Sequence, residues 1–201
     1  MISYLHGVDV LAGTYAEEPA AETLARQVVA EIEAADPLPA APPRVLTSQI
    51  PGVPDEQWTE FALAMKTADP KSISGAGAYG MFELKPRRLA DLGLMKNVTP
   101  VNARSNGRLA WKGEWVAPLT EKKFLSSAVA QYDAFGKSMR AYVKGLEDGS
   151  VPQPEAGLPQ EMTLSGALAI LHRCGPRGLL GWANERFPET VALYEATNGI
   201  F

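Results

Sequence analysis

The sequence predicts a mainly α-helical protein, on three observations. Apolar residues recur at helical spacing over several segments, the longest being 119–147. Stretches punctuated by proline and glycine separate those segments. Strand-like alternation is scarce after residue 15. The chain has 201 residues and is 46% hydrophobic, enough for one core of domain size with length to spare.

From the N-terminus, residues 1–14 carry Val8, Val10 and Leu11 and read as a short strand or extended arm. Residues 17–35 are rich in Ala and Glu. Leu24, Val28 and Ile32 repeat at i+4, with Arg26, Glu31 and Glu33 off that line, which predicts an amphipathic helix with a narrow apolar stripe. Residues 36–54 hold Pro37, Pro39, Pro42, Pro43, Pro51 and Pro54, which exclude a regular helix and favour an extended linker. The expected organisation is therefore an adaptor over 1–54, made of arm, helix and linker, followed by a domain over 55–201.

In that domain, Pro54 followed by Asp55 and Glu56 is a helix start, and Trp58, Phe61, Ala62 and Met65 fall on one face. Residues 86–94 form a second helix, with Pro86 early and Gly93 near its end. The segment 97–118 reads as loop because of Pro100, Gly107, Gly113 and Pro118. Thr120 can cap the helix over 119–147, whose buried stripe comprises Phe124, Leu125, Ala128, Val129, Tyr132, Phe135, Met139 and Val143. Gly136 weakens its middle by about 1 kcal/mol relative to alanine. After a Pro/Gly loop at 149–160, helices are expected at about 163–173, 176–186 and 188–197.

The net charge of −4 and pI near 5.3 give no concentrated positive surface of the kind nucleic acids require. One cysteine, Cys174, rules out a disulfide within the chain and reads as a small buried apolar residue. Two histidines and one cysteine do not make a structural zinc site, and neither a metal nor a cofactor is expected. No run reaches the roughly 18 apolar residues of a membrane span. Residues 1–9 lack the basic flank and apolar stretch of a secretory signal. A chain without such a signal would reach a target outside the cell as a mature form, by lysis, or carried in a particle or injection machine.

The most informative segment is Ser74-Gly75-Ala76-Gly77-Ala78-Tyr79-Gly80-Met81-Phe82-Glu83-Leu84-Lys85-Pro86. It resembles the Gly-Ala-x-Gly-Leu-Met-Gln-x-x-Pro segment of the lysozyme-like lytic transglycosylases. Asp69-Pro70 and Ser74 are similar to that family's Asn-Pro and Ser. Leu171-His172-Arg173-Cys174-Gly175-Pro176-Arg177-Gly178 is similar to its Tyr-Asn-Ala-Gly-Pro-Gly turn, and Pro188-Glu189-Thr190-Val191-Ala192-Leu193-Tyr194 to its Glu-Thr-x-x-Tyr ending. Ala90-Asp91-Leu92-Gly93, Trp111-Lys112-Gly113, Thr163-Leu164-Ser165-Gly166-Ala167 and His172 resemble a phage- and prophage-associated branch. The pieces occur in order over residues 55–201. Met1–Val10 further resembles the opening of contractile-tail sheath proteins.

The resemblance implies a lysozyme-like helical domain that acts on peptidoglycan glycan strands. Cleaving a glycosidic bond needs a carboxyl kept protonated by burial beside the leaving oxygen. The family places that glutamate twelve residues before the first glycine of its segment, and here the position is Met65. Methionine cannot carry the proton. Glu83, which stands where the family has Gln, and Glu60, more than one turn earlier on the helix, are the remaining acids. The resemblance further implies a glycan contact at Gly77, Ala78, Tyr79, Gly80 and Phe82, where missing Cβ atoms admit sugar rings to the backbone, with His172 and Arg173 beside it.

Each residue also has a plainer reading. Glu83 reads first as a surface charge or a charge near the N-terminus of the helix from Pro86. Tyr79 and Phe82 fit either the core or a cleft wall. His172 fits a hydrogen-bonded core position, Arg173 and Arg177 fit solvated charges, and Trp111 and Trp115 fit packing over the core. The expected function is a phage- or contractile-tail-associated module, catalytically impaired, that engages peptidoglycan or serves structurally. Residues 1–50 would dock it to tail, baseplate or other virion proteins by strand addition. The alternatives are an active hydrolase or lytic transglycosylase using Glu83 or Glu60, and a purely structural assembly protein.

Overall fold

A computed structural model describes residues 45–103, 109–154, 157–184 and 188–201. The arm and helix expected over 1–35 lie outside these residues, as do residues 36–44 of the proline-rich segment. Helices dominate, in the order α1 (Asp55–Ala64), α2 (Pro86–Asp91), α3 (Glu121–Ser126), α4 (Ala128–Glu147), α5 (Leu164–Asn184) and α6 (Pro188–Thr197). An antiparallel hairpin, β1 (Met95–Ala103) and β2 (Leu109–Trp115), follows α2. Among the described residues no helix is long and apolar enough to cross a membrane.

The packed body begins before Asp55. Leu46 and Ile50 belong to the core. Their segment is stitched to the first turns of α1, with Leu46 N donating to Thr59 Oγ1 (2.7 Å) and Ser48 N to Asp55 Oδ1 (2.8 Å). The end of the expected linker is therefore a strap lying against the domain.

The hairpin corrects the loop expected over 97–118. Met95 pairs with Trp115 and Pro100 with Trp111, but the register shifts between Lys96 and Thr99. Asn97 takes φ +52 in that bulge, and Val98 crosses over Gly113, where a Cβ would meet its methyl group at 2.8 Å. A bulge opposite a glycine breaks the period-2 pattern by which a strand is recognised.

The helix expected over 119–147 is two helices. Thr120 caps α3 as expected, accepting from Lys123 N at 3.2 Å. Ser127 then leaves helical geometry (φ −112, ψ 106) and caps α4 through Ala130 N at 3.1 Å. Of the expected stripe, Phe124, Tyr132, Phe135, Met139 and Val143 are buried, whereas Val129 is 44% exposed. Gly136 is buried because the Gln49 side chain lies where its Cβ would be.

In α5 a kink at Gly175 (φ 72, ψ −177) precedes Pro176, so the helices expected at 163–173 and 176–186 meet end to end. The last residues close over the α1 face: Phe201 packs edge-on to Phe61 at 5.1 Å, and Ser165 Oγ donates to Phe201 O at 3.1 Å.

Candidate functional site

The Gly-rich segment folds as a double turn. Ser74 Oγ accepts from Ala76 N and Ala78 N, closing the first loop. Tyr79 and Leu84 exchange both backbone bonds (2.9 and 3.0 Å), closing the second over Gly80–Glu83. Gly77 and Gly80 adopt φ +75 and +71, which glycine reaches at no steric cost. Gly77 also lies under Trp111 O, at 2.6 Å from where a Cβ would stand. The hairpin backbone thus packs against the first loop at Gly77.

The turn is anchored on both sides. Gln131, 1% exposed on α4, accepts from Met81 N (2.8 Å) and donates to Pro70 O (2.9 Å), Phe124 O (3.1 Å) and Leu125 O (3.3 Å). Gly80 must lack a Cβ because the Gln131 carboxamide occupies that space. On the other side, Thr67 N and Ala68 N, just past α1, donate to Met81 O at 3.0 and 3.2 Å. His172 Nε2 lies 2.7 Å from Phe82 O. A carbonyl can only accept, so Nε2 carries the proton in the neutral ring.

Glu83 sits where these pieces meet. Its Oε2 accepts from Arg173 Nη1 at 2.7 Å and lies 3.4 Å from Thr67 Oγ1. Its backbone is left-handed, φ +49, which costs a non-glycine residue about 1–2 kcal/mol. The fold therefore brings Glu83, His172 and Arg173 together at the end of α1, although they are far apart in sequence. It does not bring Glu60 into any contact described at this cluster, and Glu60 is exposed on α1.

Several candidate contact residues face inward. Phe82, 1% exposed, stacks on Phe135 at 4.1 Å and meets Tyr132 edge-on at 5.2 Å. Its side chain is core, which corrects its reading as a cleft wall. Tyr79 is 8% exposed and packs edge-on to Trp115 at 5.3 Å. Burial, then the charge of Glu121 and a hydrogen bond to it, raise the Tyr79 pKa. Ala78 and Gly80 are also buried. Met65 is wholly enclosed, because the chain past α1 clips onto Met81 O. Gln131 was not singled out from sequence. Its only signal there was a polar residue one position from Tyr132 within an apolar stripe.

Burial, opposed by the Phe82 bond and assisted by the charges of Arg88, Arg173 and Lys85, pushes the His172 pKa from 6.5 down to about 4. The folded protein thus binds fewer protons here than the unfolded chain between those values, and stability rises with pH across that window. Lowering the pH from 7 to 4.5 is expected to cost on the order of 2–3 kcal/mol through this residue. Urea titrations at the two pH values check it: His172→Gln, which can still donate to Phe82 O, should flatten the dependence. An unchanged slope would assign the acid sensitivity elsewhere.

Among the described residues no group of three or more His, Cys, Asp and Glu is placed to hold a metal ion. No family model, curated protein or solved structure matches this chain.

Proposed function

We propose that this chain is a catalytically impaired, lysozyme-like module of phage or contractile-tail type that engages peptidoglycan glycan strands. One observation carries the reading. Three separated pieces of the resembling pattern, namely the end of α1, the Gly-rich turn and His172-Arg173, meet in a single polar cluster, while Met65 takes the acid's position with no exposed surface. Glu83 accepts a hydrogen bond from Arg173, and the pair ties the turn to α5. The inward-facing Tyr79 and Phe82 leave the backbone of residues 74–77, Glu83 and Arg173 as the parts of this region that can meet a glycan.

A second reading, an active glycan-strand hydrolase using Glu83, draws on the position of that carboxylate: it is 27% exposed and lies beside Thr67 at the end of α1. Incubation with purified peptidoglycan separates the two. The expected result is co-sedimentation with the insoluble wall and no soluble muropeptides from either the natural chain or Glu83→Gln. Muropeptides released by the natural chain and lost in Glu83→Gln would establish the second reading. Neither binding nor release would leave a structural assembly role, checked by whether deletion of residues 1–50 abolishes incorporation into a particle. Stability should barely register Glu83→Gln, at about 1 kcal/mol or less, because Arg173 is 41% exposed and the pair is solvent-screened.

A further inference from the structure

Two clefts lie side by side between α4 and the 45–51 strap. Their volumes are about 490 and 410 Å³, and they share Gln49 and Asp133. Both fall in the range of small-molecule sites, roughly 300–1,000 Å³. The walls are already fixed. Leu46 N and Ser48 N tie the strap to α1 at 2.7 and 2.8 Å. Gln49 crosses to α4, where its Nε2 donates to Asp133 Oδ1 at 3.0 Å. Its Cδ lies 2.7 Å from where a Cβ of Gly136 would stand, so the missing side chain at that position seats it. Phe135 meets His172 at 5.3 Å. Asp133 and Lys137, two residues to either side of Phe135, leave α4 on the opposite face. The clefts are therefore a separate place from the Glu83 cluster.

The two clefts differ in chemistry. The larger is lined by Ser48, Ile50, Pro51, Lys137 and Arg140 besides the shared pair. Its one acid is matched, with Lys137 Nζ 2.7 Å from Asp133 Oδ2. Arg140 is exposed and has no hydrogen-bond or ion-pair partner among the described residues. This cleft thus carries one cation more than it carries anions, and Lys137 keeps two ammonium hydrogens beyond the one given to Asp133. The smaller cleft is lined by Leu46, Thr47, Trp58, Val129 and Tyr132. Its wall is mostly apolar and aromatic, and Val129 is exposed on it. Tyr132 is 8% exposed, and its hydroxyl has no hydrogen-bond partner among the described residues.

A basic end beside an aromatic and aliphatic end matches a molecule divided the same way, an anionic head on an apolar body. An anion alone would make only solvent-screened contacts with Arg140 and Lys137. An apolar molecule alone would leave both cations unused. The guanidinium fork reads carboxylate and phosphate alike. We propose that this double cleft binds a small organic acid, its carboxylate or phosphate between Lys137 and Arg140 and its apolar body across Gln49 onto Trp58, Val129 and Tyr132.

Backbone amide shifts of the isotope-labelled full chain, titrated with phenylpropionate and with phenyl phosphate, test this and tell the two head groups apart. Saturable shifts are expected at Ser48, Gln49, Asp133 and Arg140, with a Kd on the order of millimolar or tighter for the preferred probe. Acetate and inorganic phosphate, which lack the body, and phenylpropanol, which lacks the charge, should each bind at least about tenfold more weakly. Arg140→Gln should weaken the preferred probe about tenfold. Val129→Glu, which sets a like charge beside the apolar end, should weaken it at least as much. Both positions are exposed, and an unchanged thermal midpoint shows that each variant keeps the fold. Lys112→Gln, on β2, should change nothing. The absence of saturable shifts at these amides, or full affinity in Arg140→Gln, would overturn the proposal. Shifts centred on Glu83 and Arg173 would assign the probes to that cluster and overturn it equally.

Discussion

Gln131→Leu is expected to destabilise the protein by about 3–4 kcal/mol, among the largest effects of any single polar substitution in the chain. The leucine fills the space but strands Met81 N–H and Pro70 O, and it removes a donor from Phe124 O and Leu125 O. Phe124 O keeps Ser127 N at 3.2 Å, so its loss is the smallest of the four. With Gln131 1% exposed, water cannot readily replace the bonds, and each buried orphan costs about 1–3 kcal/mol. Gly80→Ala attacks the same joint from the other side, since its Cβ overlaps the carboxamide and its φ is +71. Urea denaturation of both variants measures the effect. A loss below about 1 kcal/mol for Gln131→Leu would mean that the turn is held by its own backbone bonds.

Met65→Glu is expected to cost about 4 kcal/mol or more and to create no glycosidase activity. On the resemblance, this substitution restores the missing acid, so a gain of activity is the intuitive result. The enclosure of Met65 argues the opposite, because its side chain is in the core with Phe61, Phe82 and Phe135. A carboxylate there has no partner, and protonating it to avoid the charge still leaves a polar group among apolar ones. Thermal denaturation and a muropeptide-release assay decide the matter together. A stable Met65→Glu variant that cleaves peptidoglycan would show that the position opens to substrate, and it would overturn the account of this site as closed.

Much of the helical layout was legible in the sequence because its signals are local. Pro54 with Asp55 and Glu56 marked the start of α1, Thr120 marked α3, and Pro86 opened α2. The spacing of Phe124, Tyr132, Phe135, Met139 and Val143 marked the buried face that α3 and α4 share. The break at Ser127 was not legible, because a serine in a helical run reads as a tolerated polar residue until its own geometry turns it into a second cap. The hairpin was hidden by its bulge at Asn97–Val98 and by Gly113, each of which reads as a loop signal. Val129 was assigned to the core by spacing alone; the break just before it rotates that position outward.

The candidate site divides along the same line. The Gly-rich turn, Glu83, His172 and Arg173 were all singled out from sequence, and so was Met65. What each does depends on contacts between residues far apart in the chain, which no local pattern encodes. Glu83 could have been a helix-end charge or an acid in a groove, and only the arrival of Arg173 from α5 makes it a tie. Phe82 could have lined a cleft, and only Phe135 on α4 takes it into the core. By itself the sequence determined the mainly helical class, the positions of the turns and the absence of a carboxyl at residue 65, because propensity, capping and side-chain chemistry act within a few residues. Only the tertiary structure decided that Met65 is enclosed and that the turn is clamped by Gln131 and His172, because burial and ion pairing arise when distant segments exclude water together.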